Sequence, residues 1–213
     1  IAILKTLAME KTYTPLLQAV FVIPFILLAA LVGPFADAHA KGRVLLAGNA
    51  IKMLGALGLL ALSYLFVPSQ AVWFSIFILI SYTMVGVGAA AYSPAKYGIL
   101  TQLVSPQKLV QANGLMEGST IVAILLGVLV GGMLADYSIS LALWAVALCY
   151  LFSMLCCLLI PILPKVHPVE EWRIKILLVH FFQASTTLLK DADTRFSLIG
   201  TGLFWGAGAT LRL

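Results

Sequence analysis

Two ionisable side chains lie within or beside long apolar segments, where a charge is costly unless it has a partner or a function. Lys96 follows the run VGVGAAAYSPA, and Glu117 lies inside KLVQANGLMEGSTIVAILLGVLVGGML. An ammonium with polar neighbours, here Tyr97 and Asn113, is suited to binding an anionic group such as phosphate. Two other interpretations stay open from the residues alone. The charges snorkel to the membrane interface, or they pair and hold helices together.

Two further cations complete the set of charges in apolar surroundings. Arg212 lies at the end of the last apolar run, and its guanidinium can bind phosphate through two parallel hydrogen bonds, whereas Lys96 is a point charge. Lys52 lies inside another apolar run, and we expect it to snorkel or pair rather than bind a substrate. For Glu117 we favour a salt bridge to a lysine, Lys96 or Lys52, over contact with a substrate ammonium.

Residue patterns for catalysis or metal binding are absent from the sequence. It holds no G-x-S-x-G, H-E-x-x-H or G-x-x-x-x-G-K-[ST] motif. The histidines fall in predicted loops or interfacial segments, and the cysteines lie together in one apolar run, where they indicate small buried side chains. These residues are His39, His167, His180, Cys149, Cys156 and Cys157. We therefore predict no catalytic residue, no metal site, no cofactor and no enzyme activity.

The composition indicates the surroundings of these residues. Of 213 residues, 62% are hydrophobic and 10% are charged, against about 45–50% and about 25% in soluble domains. The apolar runs are near the roughly 20 residues that cross a bilayer as helix and lack the alternation of barrel strands. The net charge of +5 comes from basic residues beside these runs and does not indicate nucleic-acid binding. The sequence predicts an all-α integral membrane protein.

The apolar runs predict the order of spans. Residues 15–35 form a span kinked at Pro24, and residues 92–108 form a polar hinge between two later spans. The other predicted spans are residues 45–67, 71–92, 108–134, 141–163 and the segment that begins at 196. Loops near residues 37–43, 96–108 and 165–175 carry Lys or Arg and are predicted to be cytoplasmic.

Three regions follow from this order. Residues 1–164 form a transmembrane half that lacks most of its first span, residues 165–195 form an amphipathic cytoplasmic linker, and residues 196–213 begin a second transmembrane half. The first and last residues both lie inside apolar runs, so we expect the sequence to be part of a longer protein.

Glycines are concentrated in the predicted span 108–134. Small residues at such spacing let the backbones of neighbouring membrane helices approach closely. We therefore predict that this glycine set packs against another helix: Gly114, Gly118, Gly127, Gly131 and Gly132.

The turn after residues 15–35 carries Gly33 and Asp37, followed by Lys41, Gly42 and Arg43. Glycine permits close helix approach, and an acid at a helix end can accept hydrogen bonds from an arginine or a helix N-terminus. The pattern resembles the cytoplasmic G-x-x-x-D…G-R signature of the major facilitator superfamily, with two additional residues before the second glycine. The resemblance implies a latch that stabilises one state of a rocking transporter.

A more specific resemblance covers residues 15–213. The segments VGVGAAAYSPAKYGIL, KLVQANGLMEGSTIVAILLGVLVGGMLAD and FSLIGTGLFWGAGATLRL are similar to the bacterial lysophospholipid transporter family. The resemblance implies a multi-pass flippase of the inner membrane, with twelve spans in two halves. It implies lysophosphatidylethanolamine and related lysolipids as substrates, moved to the cytoplasmic leaflet. There an acyl-ACP-dependent acyltransferase would rebuild the diacyl lipid.

Within this expectation the substrate-binding residues are Lys96 and Arg212 for the phosphate, with Tyr97, Asn113 and Glu117 as polar neighbours. Because Glu117 is the one acid well inside a predicted span, we expect alternating access without an obligatory proton or sodium gradient. Three alternatives stay open: a major facilitator transporter of another small molecule or drug, an intramembrane lipid-modifying enzyme, and a non-transporting partner subunit.

Overall fold

The computed structural model describes residues 13–65, 72–161, 163 and 173–210. Within these ranges the chain forms α-helices and one 3-10 turn, Pro106–Lys108, and no strand. The helices are α1 (Tyr13–Leu27), α2 (Ala29–Ala38), α3 (Lys41–Tyr64), α4 (Val72–Leu103), α5 (Leu109–Tyr137), α6 (Ile139–Leu158), α7 (Ile174–Lys190) and α8 (Ala192–Thr210). The predicted all-α class is confirmed.

Four of the described helices are long and apolar enough to cross a membrane, namely α3, α4, α5 with its preceding turn, and α6. Helices α1 and α2 meet the same criterion together but bend by 60° at their junction. The predicted multi-pass membrane protein is thereby confirmed. Helix α8 overlaps the predicted span that begins at residue 196 and is not among the described helices that meet the criterion. The predicted remnant of a first span lies outside the described residues.

The bend between α1 and α2 lies at Leu28, and the kink predicted at Pro24 is wrong by one turn. The helix runs through Pro24, whose carbonyl oxygen still accepts a hydrogen bond from the Leu28 amide at 2.9 Å. The Leu28 carbonyl then accepts from the amides of Leu31 and Val32, which starts α2. A proline removes a hydrogen bond on its N-terminal side, whereas this break lies on its C-terminal side.

Helix α4 continues three turns past the point where a polar hinge was predicted. It ends at Leu103, and the chain turns only between residues 104 and 108. The reason is an apolar stripe that continues on the same helix, since Ala90, Ala95 and Ile99 are buried. Lys96 and Tyr97 therefore lie on a packed helix rather than in a loop.

Helix α3 is the centre of the packed bundle and contacts both α4 and α6. One core cluster joins residues of α1, α3, α4 and α6, including Leu17, Leu60, Ile78 and Leu143. A second cluster joins α2, α3, α4 and α6 at the other end of α3 and includes Val44. The two clusters hold α3 along its length, so polar side chains between them have fixed neighbours.

The predicted packing glycines lie on an open surface of this chain. A Cβ built on any of them would meet nothing within 4 Å among the described residues: Gly114, Gly118, Gly127, Gly131 and Gly132. No residue of the apolar window of α5 is buried. The described residues contain no helix that packs against these glycines, so their packing against another helix stays a prediction.

Residues 169–213 form a second compact unit, separate from residues 1–168. Its helix α7 lies inside the predicted linker and ends at Lys190. Asp191 caps α8, since its Oδ2 accepts hydrogen bonds from the Thr194 amide at 2.9 Å and the Thr194 hydroxyl at 2.6 Å. These hydrogen bonds hold the pKa of the exposed Asp191 carboxyl below its usual value. The three predicted regions stay a prediction.

Candidate functional site

Lys96 bridges α4 and α5 through a neutral partner. Its ammonium donates a hydrogen bond to the Thr120 hydroxyl oxygen over 2.8 Å. That hydroxyl in turn donates to the Met116 carbonyl at 2.8 Å. Lys96 is half-buried, and within residues 13–65, 72–161 and 173–210 the structure gives it no ion pair. Its positive charge is positioned but not neutralised.

Glu117 does not form the predicted salt bridge. Its carboxylate interacts with the Tyr97 hydroxyl instead, and the one ion pair among the described residues lies elsewhere. Consecutive residues of a helix point about 100° apart, so Lys96 and Tyr97 meet α5 at different positions, Thr120 and Glu117. The Lys96 ammonium lies 5.3 Å from the centroid of the Tyr97 ring. Four residues of α4 and α5 thus form one polar contact.

The remaining predicted substrate residues have separate outcomes. Asn113 is exposed on α5, one turn before Glu117. Arg212 lies outside the described residues. The structure therefore brings together Lys96, Tyr97 and Glu117, places Asn113 on α5 one turn before Glu117, and does not test Arg212.

Lys52 is a site residue whose surroundings sequence reasoning missed. Its ammonium lies 4.0 Å from the centroid of the Tyr92 ring on α4 and 5.3 Å from that of Tyr150 on α6. No ion pair to Lys52 exists in the described part of the chain, so the expectation that Lys52 snorkels or pairs stays a prediction. Lys52 and Lys96 are close enough for their charges to repel each other. One feature of the sequence could have indicated this site. Tyr92 and Lys96 are four residues apart and so share a helix face, which places an aromatic ring beside a cation.

Asn49 fixes α3 against α6 one turn before Lys52. It is buried, and its side-chain amide donates to the Ser153 hydroxyl at 2.7 Å and to the Cys157 sulfur at 3.5 Å. A buried amide that keeps its hydrogen bonds specifies one packing arrangement. The backbone that carries Lys52 is therefore held in one position against α6.

The predicted latch is partly assembled, with a different pairing. The Lys41 ammonium lies 2.7 Å from Asp37 Oδ1 and is almost fully buried, with 3% of its side chain exposed against 46% for Asp37. Arg43 is exposed and has no ion pair among the described residues, so of the two basic latch residues Lys41 is the partner of Asp37. A Cβ on Gly42 would lie 3.2 Å from Ile160, whereas one on Gly33 would meet nothing within 4 Å.

Lys41 is the partner because it is the first residue of α3 and follows Asp37, near the end of α2, by four residues. Its side chain passes Gly98 of α4, where a Cβ would lie 3.0 Å from both its Cε and Nζ atoms. The latch therefore ties α2, α3 and α4 together at one end of the bundle.

Groups of three or more metal-binding side chains are absent from the described residues.

A family model described as Major Facilitator Superfamily matches residues 1–211. The chain belongs to the major facilitator superfamily. Among the curated relatives of this major facilitator chain, the lysophospholipid transporter LplT of Klebsiella pneumoniae subsp. pneumoniae is 49% identical over 212 residues, which cover 100% of this chain and 50% of the relative. LplT of Serratia proteamaculans is 50% identical over 198 residues, covering 93% and 46%. No solved structure matches the chain.

These relatives confirm the resemblance to lysophospholipid transporters predicted from the sequence. LplT of Salmonella typhimurium adds a similar match, with 48% identity over 212 residues. The major facilitator chain spans about half the length of the curated relatives it matches. The match to the superfamily agrees with the four membrane-length helices among the described residues.

Proposed function

We propose that this chain is part of a lysophospholipid transporter of the bacterial inner membrane. The substrates are lysophosphatidylethanolamine and related lysolipids, moved to the cytoplasmic leaflet by alternating access. The similarity to proteins named lysophospholipid transporter LplT supports the substrate class. In the cytoplasmic leaflet an acyl-ACP-dependent acyltransferase would reacylate the transported lysolipid. The chain itself would have no enzyme activity.

The observation that carries the proposal is the state of Lys96. A lysolipid phosphate must cross a region where water is scarce, and a cation without a protein carboxylate can bind it there. Lys96 donates to Thr120, a neutral hydroxyl, and has no ion pair among the described residues. Exchange of that hydroxyl for a phosphate oxygen replaces a neutral acceptor by an anionic one and so forms an ion pair. Arg212 is proposed as a second phosphate-binding residue.

Tyr97, Asn113 and Glu117 are proposed as polar neighbours of the headgroup. Glu117 already interacts with Tyr97, and as a carboxylate it can also bind the ammonium of an ethanolamine headgroup. The acyl chain needs only an apolar surface, which α5 offers through exposed Val128, Leu129 and Met133. With the headgroup at the polar residues and the acyl chain on the apolar surface, the substrate suits a path between helices that is open to lipid on one side.

We further propose that flipping needs no obligatory ion gradient. Among the described acids, Glu117 alone lies well inside a membrane-length helix, whereas Asp37 and Asp136 lie at helix ends. Proton coupling uses acids or histidines inside the pathway, and one acid engaged by Tyr97 is a poor carrier. The Asp37–Lys41 pair is proposed as the latch of one conformational state.

The test is uptake of labelled lysophosphatidylethanolamine by cells that carry the full-length protein, compared with cells that lack it. Lys96→Ala should reduce uptake about tenfold or more, the cost of one hydrogen bond to a charged group, at equal amounts of protein in the membrane. Lys108→Ala is the matched control, since Lys108 is exposed on the same unit. Uptake no higher than in cells without the protein would reject the substrate and favour a major facilitator transporter of another small molecule.

A further inference from the structure

Lys52 lies deep in the membrane-length part of the bundle. It is eleven residues from the start of α3 at Lys41 and twelve from its end at Tyr64, or about 16–18 Å from either end at 1.5 Å per residue. A lysine side chain reaches too short a distance to bring its ammonium to the interface from that depth. An ammonium in such a place needs a compensating partner.

The partners that Lys52 has are two aromatic rings. The Tyr92 and Tyr150 centroids lie 4.0 and 5.3 Å from its ammonium, and ring faces attract cations less strongly than an anion does. No carboxylate lies within ion-pair distance in the described part of the chain. The second nearby charge is repulsive, since Lys96 lies one helical turn after Tyr92 on α4.

The lysine is held in this position by the structure around it. Asn49, three residues earlier on α3, binds Ser153 and Cys157 of α6. Gly88 of α4 has no side chain, and a Cβ there would lie 2.8 Å from Lys52 Cγ. Two like charges thus lie on neighbouring helices, and a phosphate that contacts both would offset their repulsion.

We propose that Lys52 is a phosphate-binding residue, which together with Lys96 binds the phosphodiester of the substrate. Tyr92 and Tyr150 hold the Lys52 ammonium while the site is empty and release it to the stronger phosphate partner. The inference rests on the proposed function, because it takes the substrate to be an amphiphile that carries a phosphate. It adds to that function a binding group on α3 and a reason for the two tyrosines.

The experiment is a cycle of protein variants and ligands with the purified full-length protein. Dissociation constants are measured for lysophosphatidylethanolamine, for a monoacylglycerol with the same chain but no phosphate, and for glycerophosphoethanolamine, which lacks the chain. Lys52→Met should weaken lysophosphatidylethanolamine binding about 10- to 100-fold, the cost of a hydrogen bond to a charged group. It should change monoacylglycerol binding less than about twofold.

The control variants separate charge from packing. Lys52→Arg keeps the charge and should retain the preference for the phosphate-bearing lipid, whereas Lys108→Met, an exposed site, should change neither constant. If Lys52→Met does not fold, Lys52→Gln takes its place, because it also removes the charge. In the double variant Lys52→Met/Lys96→Met the two losses should be less than additive, because both residues bind one group.

The outcomes distinguish the inference from the function on which it rests. A wild-type protein that prefers the phosphate-bearing lipid while Lys52→Met keeps that preference overturns the role of Lys52 alone. Equal weakening of both lipids by Lys52→Met shows a structural role and also overturns it. A wild-type protein without any preference rejects the proposed function. A Lys52→Met effect on glycerophosphoethanolamine supports the phosphate site and shows that the headgroup suffices as ligand.

Discussion

Gly48 of α3 and Gly88 of α4 lie backbone to backbone. A Cβ on Gly48 would be 2.9 Å from the Gly88 carbonyl oxygen, and a Cβ on Gly88 would be 2.6 Å from the Gly48 carbonyl oxygen. Gly55 makes a similar approach to the Ser81 carbonyl, at 2.6 Å. Since residues 48, 52 and 55 share one face of a helix, Lys52 projects from the same closely packed stripe of α3.

The first prediction concerns this contact. Gly48→Leu should lower the free energy of unfolding by about 1–3 kcal/mol or more, because overpacking forces the two backbones apart. The measurement is the thermal midpoint of the full-length protein in detergent. Gln107→Leu is the control, since Gln107 lies at an exposed position. An unchanged midpoint for Gly48→Leu would contradict the close α3–α4 packing.

The second prediction concerns the polar contact between α3 and α6. Asn49→Ala removes the donor to Ser153 and Cys157 and leaves a small cavity at a site that is 1% exposed. We expect a loss of about 1–3 kcal/mol in the free energy of unfolding. Gln107→Ala, at an exposed position, should leave it unchanged. Equal midpoints for the Asn49 and Gln107 variants would show that the contact does not hold α6.

The third prediction concerns the latch. Asp37→Asn leaves the buried Lys41 ammonium without a charged partner, which costs about 3–5 kcal/mol in a fully buried pair. Because Asp37 is 46% exposed, water screens the charge, and we expect about 1–2 kcal/mol. The double variant Asp37→Asn/Lys41→Met should recover most of that loss, because no buried charge remains. A single variant as stable as the wild type would show that the ion pair contributes nothing.

The fourth prediction is a pH dependence at the start of α8. Hydrogen bonds from Thr194 lower the pKa of Asp191, so the folded cap binds its proton less readily than the unfolded chain does. The cap should be fully formed above the ordinary aspartate pKa of about 4 and be lost as pH falls through the lower folded value. Hydrogen exchange at the Thr194 amide measures this. Thr194→Ala should raise the Asp191 pKa, and no change in that pKa would contradict the assignment.

Sequence reasoning predicted the helices better than their contacts. The apolar runs 45–67, 108–134 and 141–163 correspond to α3, α5 and α6, because the length of an apolar run is a local property. The polar stretch after Tyr92 was misassigned as a hinge, since its polar residues share α4 with a buried apolar stripe. A local excess of polar residues does not show which face of a helix is packed.

The partners of the charged residues could not be read from the sequence. Whether Glu117 meets Lys96 or Tyr97 depends on the rotation of α4 against α5, which no spacing within one helix determines. The same holds for the glycines. The close helix contacts are at Gly48 and Gly88, whereas the sequence drew attention to the glycines of residues 108–134 because that segment contains several of them. Asp37, Lys41 and Arg43 were all predicted as latch residues, but the sequence did not determine that Lys41 is the partner of Asp37.

The most direct measurement is lysolipid flipping in liposomes that contain the purified full-length protein, with no ion gradient across the bilayer. Labelled lysophosphatidylethanolamine should cross with the wild type and with Lys108→Ala. With Lys96→Ala it should cross at about a tenth of the wild-type rate or less. Flipping by Lys96→Ala at the wild-type rate would contradict the phosphate role of Lys96, and flipping that required a pH gradient would contradict transport without ion coupling.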